Sequence, residues 1–346
     1  MKSEMIMDSI SQYSGKPTLY LDQNILDLFV KNGVGSFGRQ LMDNFQIVYS
    51  DETLKEIRRS AGYESDFLDV LKELGSYHLK VVVEGPELFI TDRATITDRD
   101  VFEAFEEYCR NDNGYGSVES SMNQWLFKFS GGRPEDSIAD IHKEQSAAFS
   151  ELMSEMLKNA DVLPANLKEN IKECSELMTE QYNSTLHEIE DTMSKDIPDT
   201  RGWNGIKSYR ESVGIGPKEL NNIAPPNVIE KIWDLIKIRL PEDSRVKSLD
   251  DFFQLRINPI YPDRPYHLHQ KVTGMYNKLN TIGYFPDSKV HQERRFVAAM
   301  SDNSHASMAS FCNCLLSRDE NFVKKVLAIY EYLEVPTEVV LAKVDS

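Results

Sequence analysis

The stretch Thr18-Leu19-Tyr20-Leu21-Asp22-Gln23-Asn24 decides the fold. A short apolar run that suits a buried strand ends at an acidic residue. It then opens at once into a helical pattern carrying Ile25, Leu26, Leu28 and Phe29. Three further acidic islands echo it: Ser50-Asp51-Glu52-Thr53-Leu54-Lys55-Glu56, Ser301-Asp302-Asn303-Ser304-His305-Ala306, and Leu315-Leu316-Ser317-Arg318-Asp319-Glu320-Asn321-Phe322. In an open parallel sheet, strand ends and the adjoining helix starts meet at one edge, where ligands bind. Several carboxylates gathered there repel one another unless a cation holds them.

Outward from that stretch, the pattern predicts strands over Phe45 to Tyr49 and Leu79 to Val83, with helices over Glu52 to Arg59 and Asp66 to Leu74. Ser50 and Asp51 are good helix-capping residues. This strand–helix alternation marks an α/β layer. From about Asp98 to Leu279 strand signals thin out and helical periodicity dominates, longest over Ile141 to Leu157 and Leu167 to Met193. Alternation then resumes. Asp302 is expected to cap a helix running to about Cys314, followed by a strand at Cys314 to Ser317. A helix over Glu320 to Leu333 and a last strand over Thr337 to Leu341 complete the chain. The expected organisation is an N-terminal part of the α/β domain at 17–90, a helical insertion at 91–288, and the C-terminal part at 289–346. Neither end alone carries enough strands for a stable sheet, so both should share one.

Composition narrows the function classes. The 346 residues carry a formal charge of −17, which argues against gripping long duplex DNA by charge alone. An acidic site that binds a metal first and phosphate second is compatible with that charge. Arg58-Arg59, Arg294-Arg295 and Lys324-Lys325 are local basic pairs, read as solvated helix faces with phosphate contact as the alternative. No apolar run approaches the roughly 20 residues needed to span a bilayer, and the first residues lack the apolar core of a secretory signal. The four cysteines, Cys109, Cys174, Cys312 and Cys314, have no metal-ligand spacing, and a reduced cytoplasmic protein is the expectation. His267-x-His269 has no acidic or cysteine partner at useful spacing for zinc.

Four carboxylates on rigid elements suit Mg²⁺ or Mn²⁺, which take oxygen ligands and keep open positions for water and substrate phosphate. Asp22, Glu56, Asp302 and Asp319 are the candidate ligands and catalytic residues, with Glu52 the substitute for Glu56. Asn24, Ser50, His305, Ser317 and Arg318 are candidate supporting or substrate residues. His305, one turn past Asp302, reads more readily as a packed helix histidine.

These islands also carry a family resemblance. Leu19 to Asn24 resembles the opening motif of PIN domains, an apolar strand ending in Asp, then any residue, then Asn; Gln23 stands where Thr or Ser is usual. Ser50 to Glu56 resembles the family's second element, a Ser at a strand end and an acidic residue in the next helix. Asp302 to Ala309 resembles the third, and Leu315 to Phe322 the fourth, in matching order. The resemblance covers about residues 17 to 85 and 290 to 342. It implies a PIN-like parallel-type sheet flanked by helices and a metal-dependent nuclease, most often a ribonuclease. It implies RNA as substrate, and for some of the family a toxin or antiviral defence role. The helical insertion is then a place for a regulatory protein partner.

Two other readings compete. An Asp-nucleophile phosphatase needs a second Asp two residues after the first, where this chain has Asn24. A non-catalytic PIN-like module would bind nucleic acid or a partner protein through its helices, but has no use for four mutually repelling carboxylates.

Overall fold

The computed structural model describes residues 13, 15–85, 89–111, 116–159, 165–197, 199–242, 244–256 and 264–343. The chain opens with β1 (Thr18–Leu21), α1 (Gln23–Asn32), α2 (Gly35–Asn44), β2 (Gln46–Ser50) and α3 (Asp51–Arg59). Next come α4 (Glu64–Glu73), β3 (Tyr77–Glu84) and β4 (Phe89–Thr97). Helices follow: α5 (Val101–Asn111), α6 (Gly116–Phe129), α7 (Ile138–Asn159), α8 (Ala165–Asp196), α9 (Gly205–Val213) and α10 (Pro217–Leu220). After α11 (Val228–Lys237), α12 (Leu249–Phe253), α13 (Leu268–Ile282) and α14 (Glu293–Ala309) come β5 (Cys314–Ser317), α15 (Glu320–Leu333) and β6 (Glu338–Leu341).

Both ends of the chain build one sheet of order β4-β3-β2-β1-β5-β6. Every pairing is parallel except β3 with β4. Leu19 pairs with Ile47 on one side and Cys314 on the other, which makes β1 central. The chain leaves β1 toward β2 and β3, then returns to the far side of β1 as β5. The carboxyl ends of β1 and β5 therefore flank a topological switch point, the crevice where open α/β sheets bind ligands.

Alternation along the strands feeds two cores. Tyr20, Val48, Leu79 and Leu315 belong to one, with α11, α13 and α15. Leu19, Leu21, Ile47, Tyr49 and Leu316 belong to the other, with α1, α3 and α4. Burial on both faces is why the strands read as apolar runs without clean alternation.

The helical middle differs from expectation in two ways. Residues 89–97 are a strand, Phe89-Ile90-Thr91-Asp92-Arg93-Ala94-Thr95-Ile96-Thr97, whose β-branched content signals an antiparallel edge partner for β3. The excursion also divides. Met1–Cys109, Tyr209–Asp287 and Ala298–Ser346 form one compact unit, and Arg110–Ser208 with Ser288–Val297 form a second. Apolar positions of 209–287, among them Ile229, Ile232, Val272 and Met275, pack into the sheet's own core. In the second unit α7 and α8 pack together, with Phe149 stacked on Tyr182 at 4.4 Å between ring centres. Arg133 forks onto Glu144, both contacts at 2.7 Å. No helix among the described residues is long and apolar enough to cross a membrane.

Candidate functional site

Parallel pairing brings the carboxyl ends of β2, β1 and β5 to one edge, and with them Ser50, Asp22 and Ser317. Asp22 follows β1 and is 3% exposed. Its backbone N–H donates to the Leu316 carbonyl at 3.1 Å, which extends the ladder by one residue. The Ser317 hydroxyl donates to Asp22 Oδ2 at 2.5 Å, and Asn24 Nδ2 donates to the same oxygen. Asn24 Nδ2 also reaches Ser317 Oγ at 3.1 Å, while its Oδ1 accepts the Arg318 backbone N–H at 2.9 Å. Asn24 and Ser317 thus stitch the ends of β1 and β5 together and fix the Asp22 carboxylate. Arg318 is exposed and meets this network only through its backbone.

Asp302 corrects one expectation. It does not cap a helix but lies well inside α14, because Phe296, Val297, Ala298 and Ala299 continue the helical pattern upstream to Glu293. Asp302 keeps part of its surface open while being closely surrounded by protein. Burial, then the charges of Asp22 and Asp287, raise its pKa well above the usual carboxylate range. Asp22 is likewise raised, by burial and by Glu56, against the lowering influence of His305 and the Ser317 hydrogen bond.

Asp319 is the residue that does cap. It sits before α15, accepts the Phe322 backbone N–H at 2.9 Å through Oδ1, and donates its own N–H to Ser317 Oγ at 3.0 Å. The chain folds this way because Ser317 ends a buried strand and Asp319 is a strong N-cap residue ahead of an apolar helix.

Glu56 and His305 form a buried pair. His305 Nε2 lies 2.8 Å from Glu56 Oε2, and its Nδ1 lies 2.8 Å from the Tyr20 hydroxyl, which is itself 2.7 Å from Ser50 Oγ. Burial disfavours the imidazolium, yet Tyr20, Glu56 and Asp22 outweigh it and raise the His305 pKa well above its ordinary value. Burial works to raise Glu56 too, but His305 and Arg59 hold it below the usual range. Both ring nitrogens of His305 thus meet protein partners in a buried ring. Ser50 caps α3, its backbone N–H donating to Thr53 Oγ1 at 3.3 Å.

Glu52 accepts the Ser301 hydroxyl at 2.7 Å and lies 3.6 Å from Arg59, which also stands 3.4 Å from Glu56. Glu52 and Glu56 are thus both engaged by protein donors. Among the described residues, no three His, Cys, Asp or Glu side chains already stand close enough together to hold a metal ion. The expected sharing of one site by all four carboxylates is not what the described arrangement displays, since Glu56 has an imidazolium for a partner.

Sequence reasoning missed a polar group beneath this edge. Tyr276 on α13 is fully buried, and Lys325 Nζ lies 4.2 Å from its ring centre. Lys325, also fully buried, donates to Asp287 Oδ1 at 2.5 Å and Asn280 Oδ1 at 2.8 Å. It is neither solvated nor free for phosphate, unlike the expectation for a Lys324-Lys325 pair. Tyr276 falls in step with Val272, Met275 and Leu279 on one helix face, so its sequence signal is that of an ordinary core aromatic. Likewise Cys312 and Cys314 do not share a helix. α14 ends at Ala309, and Cys314 opens β5.

No protein-family model, curated protein or solved structure matches this chain.

Proposed function

We propose that this chain is a metal-dependent nuclease of PIN-like architecture that hydrolyses phosphodiester bonds in RNA. The observation that carries the reading is Asp22, buried at the carboxyl end of β1 beside the switch point of the sheet, whose charge together with burial raises the Asp302 pKa. Asp22, Asp302 and Asp319 would hold Mg²⁺ or Mn²⁺, with rotation of side chains from the arrangement described. Such an ion polarises the phosphoryl group and lowers the pKa of a bound water. Asn24 and Ser317 hold the Asp22 carboxylate in place through hydrogen bonds to its Oδ2. In hydrolysis, water oxygen bonds to phosphorus, the bond to the leaving ribose oxygen breaks, and that oxygen takes up a proton. Arg318, exposed and next to Asp319 in sequence, is the basic residue that would meet the phosphate backbone.

The resemblance to PIN domains brings with it a toxin or antiviral defence role, and the helical insertion of 91–288 is the place for a regulatory protein partner. The few, unpaired cysteines support a reducing compartment. The test is incubation of the purified protein with single-stranded RNA, transfer RNA and DNA, each with Mg²⁺, with Mn²⁺ and with chelator. Cleavage of RNA that chelator abolishes is the expected result.

A second reading has its own observation. Glu56 is already committed to His305 and Arg59, as in a site that has exchanged a metal ligand for an internal ion pair. On that reading the chain is a non-catalytic module that binds nucleic acid or a protein partner, and wild type cleaves nothing under any metal.

A further inference from the structure

The second unit holds a cleft of about 420 Å³ where the start of α7 meets the end of α8, a volume that suits a small ligand. Ile138, Met193 and Ile197 give it apolar walls, and four carboxylates give it an acidic lining. Two of the four are already engaged. Asp140 Oδ2 accepts the Ser137 hydroxyl at 2.6 Å and the Ser137 backbone N–H at 2.9 Å. Arg201 forks onto Asp199, both contacts at 3.0 Å. The other two, Glu135 and Glu190, make no ion pair with another described residue.

His142 is an independent sign of a ligand. It is 5% exposed, yet neither ring nitrogen has a hydrogen-bond partner among the described residues. It stands four residues after Ile138 and three after Ala139 on α7, one turn deeper on the face that walls the cleft. Helix side chains lean toward the helix N-terminus, so the ring covers the turn of Ile138 and Ala139 and is aimed at the cleft. Burial lowers its pKa against the opposing charge of Glu190, so near neutral pH the imidazole is uncharged and one nitrogen can accept. A buried polar group left unpaired is costly, and a donor from a ligand would remove that cost.

We propose that this cleft binds a protonated linear polyamine. One ammonium donates to His142 and Glu190, the methylene chain lies along Ile138, Met193 and Ile197, and a second ammonium meets Glu135. An ammonium only donates and carries positive charge, so it matches a neutral imidazole nitrogen and a carboxylate together. An anion would meet two unpaired carboxylates, and a bare metal ion would gain nothing from the apolar walls. The cleft belongs wholly to the second unit, and the inference does not rest on the nuclease reading.

The test is calorimetric titration of spermidine into the full chain at physiological salt, with circular dichroism to check that each variant folds. Glu190→Gln and His142→Phe are compared with Glu176→Gln, which removes the same charge from an exposed position of α8 outside the cleft. The expected result is binding by wild type that Glu190→Gln weakens about 5- to 20-fold, the worth of one charge-assisted hydrogen bond. His142→Phe should weaken it as well, and Glu176→Gln should leave it unchanged. Should His142→Phe fail to fold, Glu190→Gln, at a half-buried position, decides by itself. No binding by wild type overturns the inference, as does wild-type affinity in Glu190→Gln or in folded His142→Phe. Equal weakening by Glu190→Gln and Glu176→Gln also overturns it, because spermidine would then be following the diffuse negative charge of the chain.

Discussion

Replacing Glu56 with Gln removes the negative partner of a buried imidazolium while keeping the shape of the side chain. At 2.8 Å, between a His305 ring that is 1% exposed and a carboxylate that is 16% exposed, the contact is a charge-assisted hydrogen bond, worth roughly 1.5–3 kcal/mol. The amide oxygen of Gln retains a neutral version of it. Arg59, a third exposed at 34%, loses one of two carboxylates and adds well under about 1 kcal/mol. The expected destabilisation near neutral pH is therefore about 2 kcal/mol. Its pH dependence is the sharper signature. Glu56 has a depressed pKa, so its share is present above the ordinary value of 4.5 and fades as pH falls through the folded value. His305 has a raised pKa, so its share is complete below the ordinary value of 6.5 and fades only as pH rises through the folded value. Urea unfolding of both proteins, followed by circular dichroism from acid to alkaline pH, should give a difference that is greatest between those limits, persists through neutrality and shrinks at both extremes. A difference that is flat with pH would refute the ion pair as its source.

Three further outcomes follow from the same electrostatics. Asp22→Asn in chelator should unfold at higher urea than wild type at pH 7, because a raised pKa means stability lost as pH rises through it; the gap should close below the ordinary carboxylate value of 3.8. Lys325→Met should cost roughly 3–5 kcal/mol by stranding Asp287, and the double variant Lys325→Met with Asp287→Leu should recover much of that in the same unfolding assay. Asp319→Ala should destabilise by about 1 kcal/mol through loss of the bond to the Phe322 N–H, whereas Asp319→Asn, an equally good cap, should leave unfolding nearly unchanged.

Much of the frame was legible because it depends on local pattern. The buried runs at Thr18 to Leu21 and Cys314 to Ser317 can only be strands of a two-faced sheet, and the acidic residues after them mark where each chain segment leaves it. Asn24 and Ser317 stood out in the sequence because each is a short polar side chain by a strand end, Asn24 two positions after Asp22 and Ser317 as the last residue of β5. What the pattern could not carry were contacts between distant segments. The Glu56–His305 pair joins residues 249 apart, and Lys325–Asp287 joins a helix to a loop 38 residues earlier. Each is an ordinary charged residue on its own helix, so only the packing of α3 against α14, and of α15 near Asp287, turns it into a buried partner. The Asp302 helix was misjudged for a related reason: a good cap residue inside an apolar helical run does not start a helix when the upstream residues already form one. The strand at 89–97 was missed because an edge strand with one face partly exposed carries charged residues that dilute its signal.

The most direct test of the account is divalent-metal-dependent cleavage of RNA by wild type beside Asp22→Asn. The account predicts cleavage by wild type with Mg²⁺ or Mn²⁺, none with chelator, and none by Asp22→Asn, whose unfolding midpoint in chelator is no lower than that of wild type. Equal cleavage by the two proteins, or cleavage that survives chelator, would contradict it.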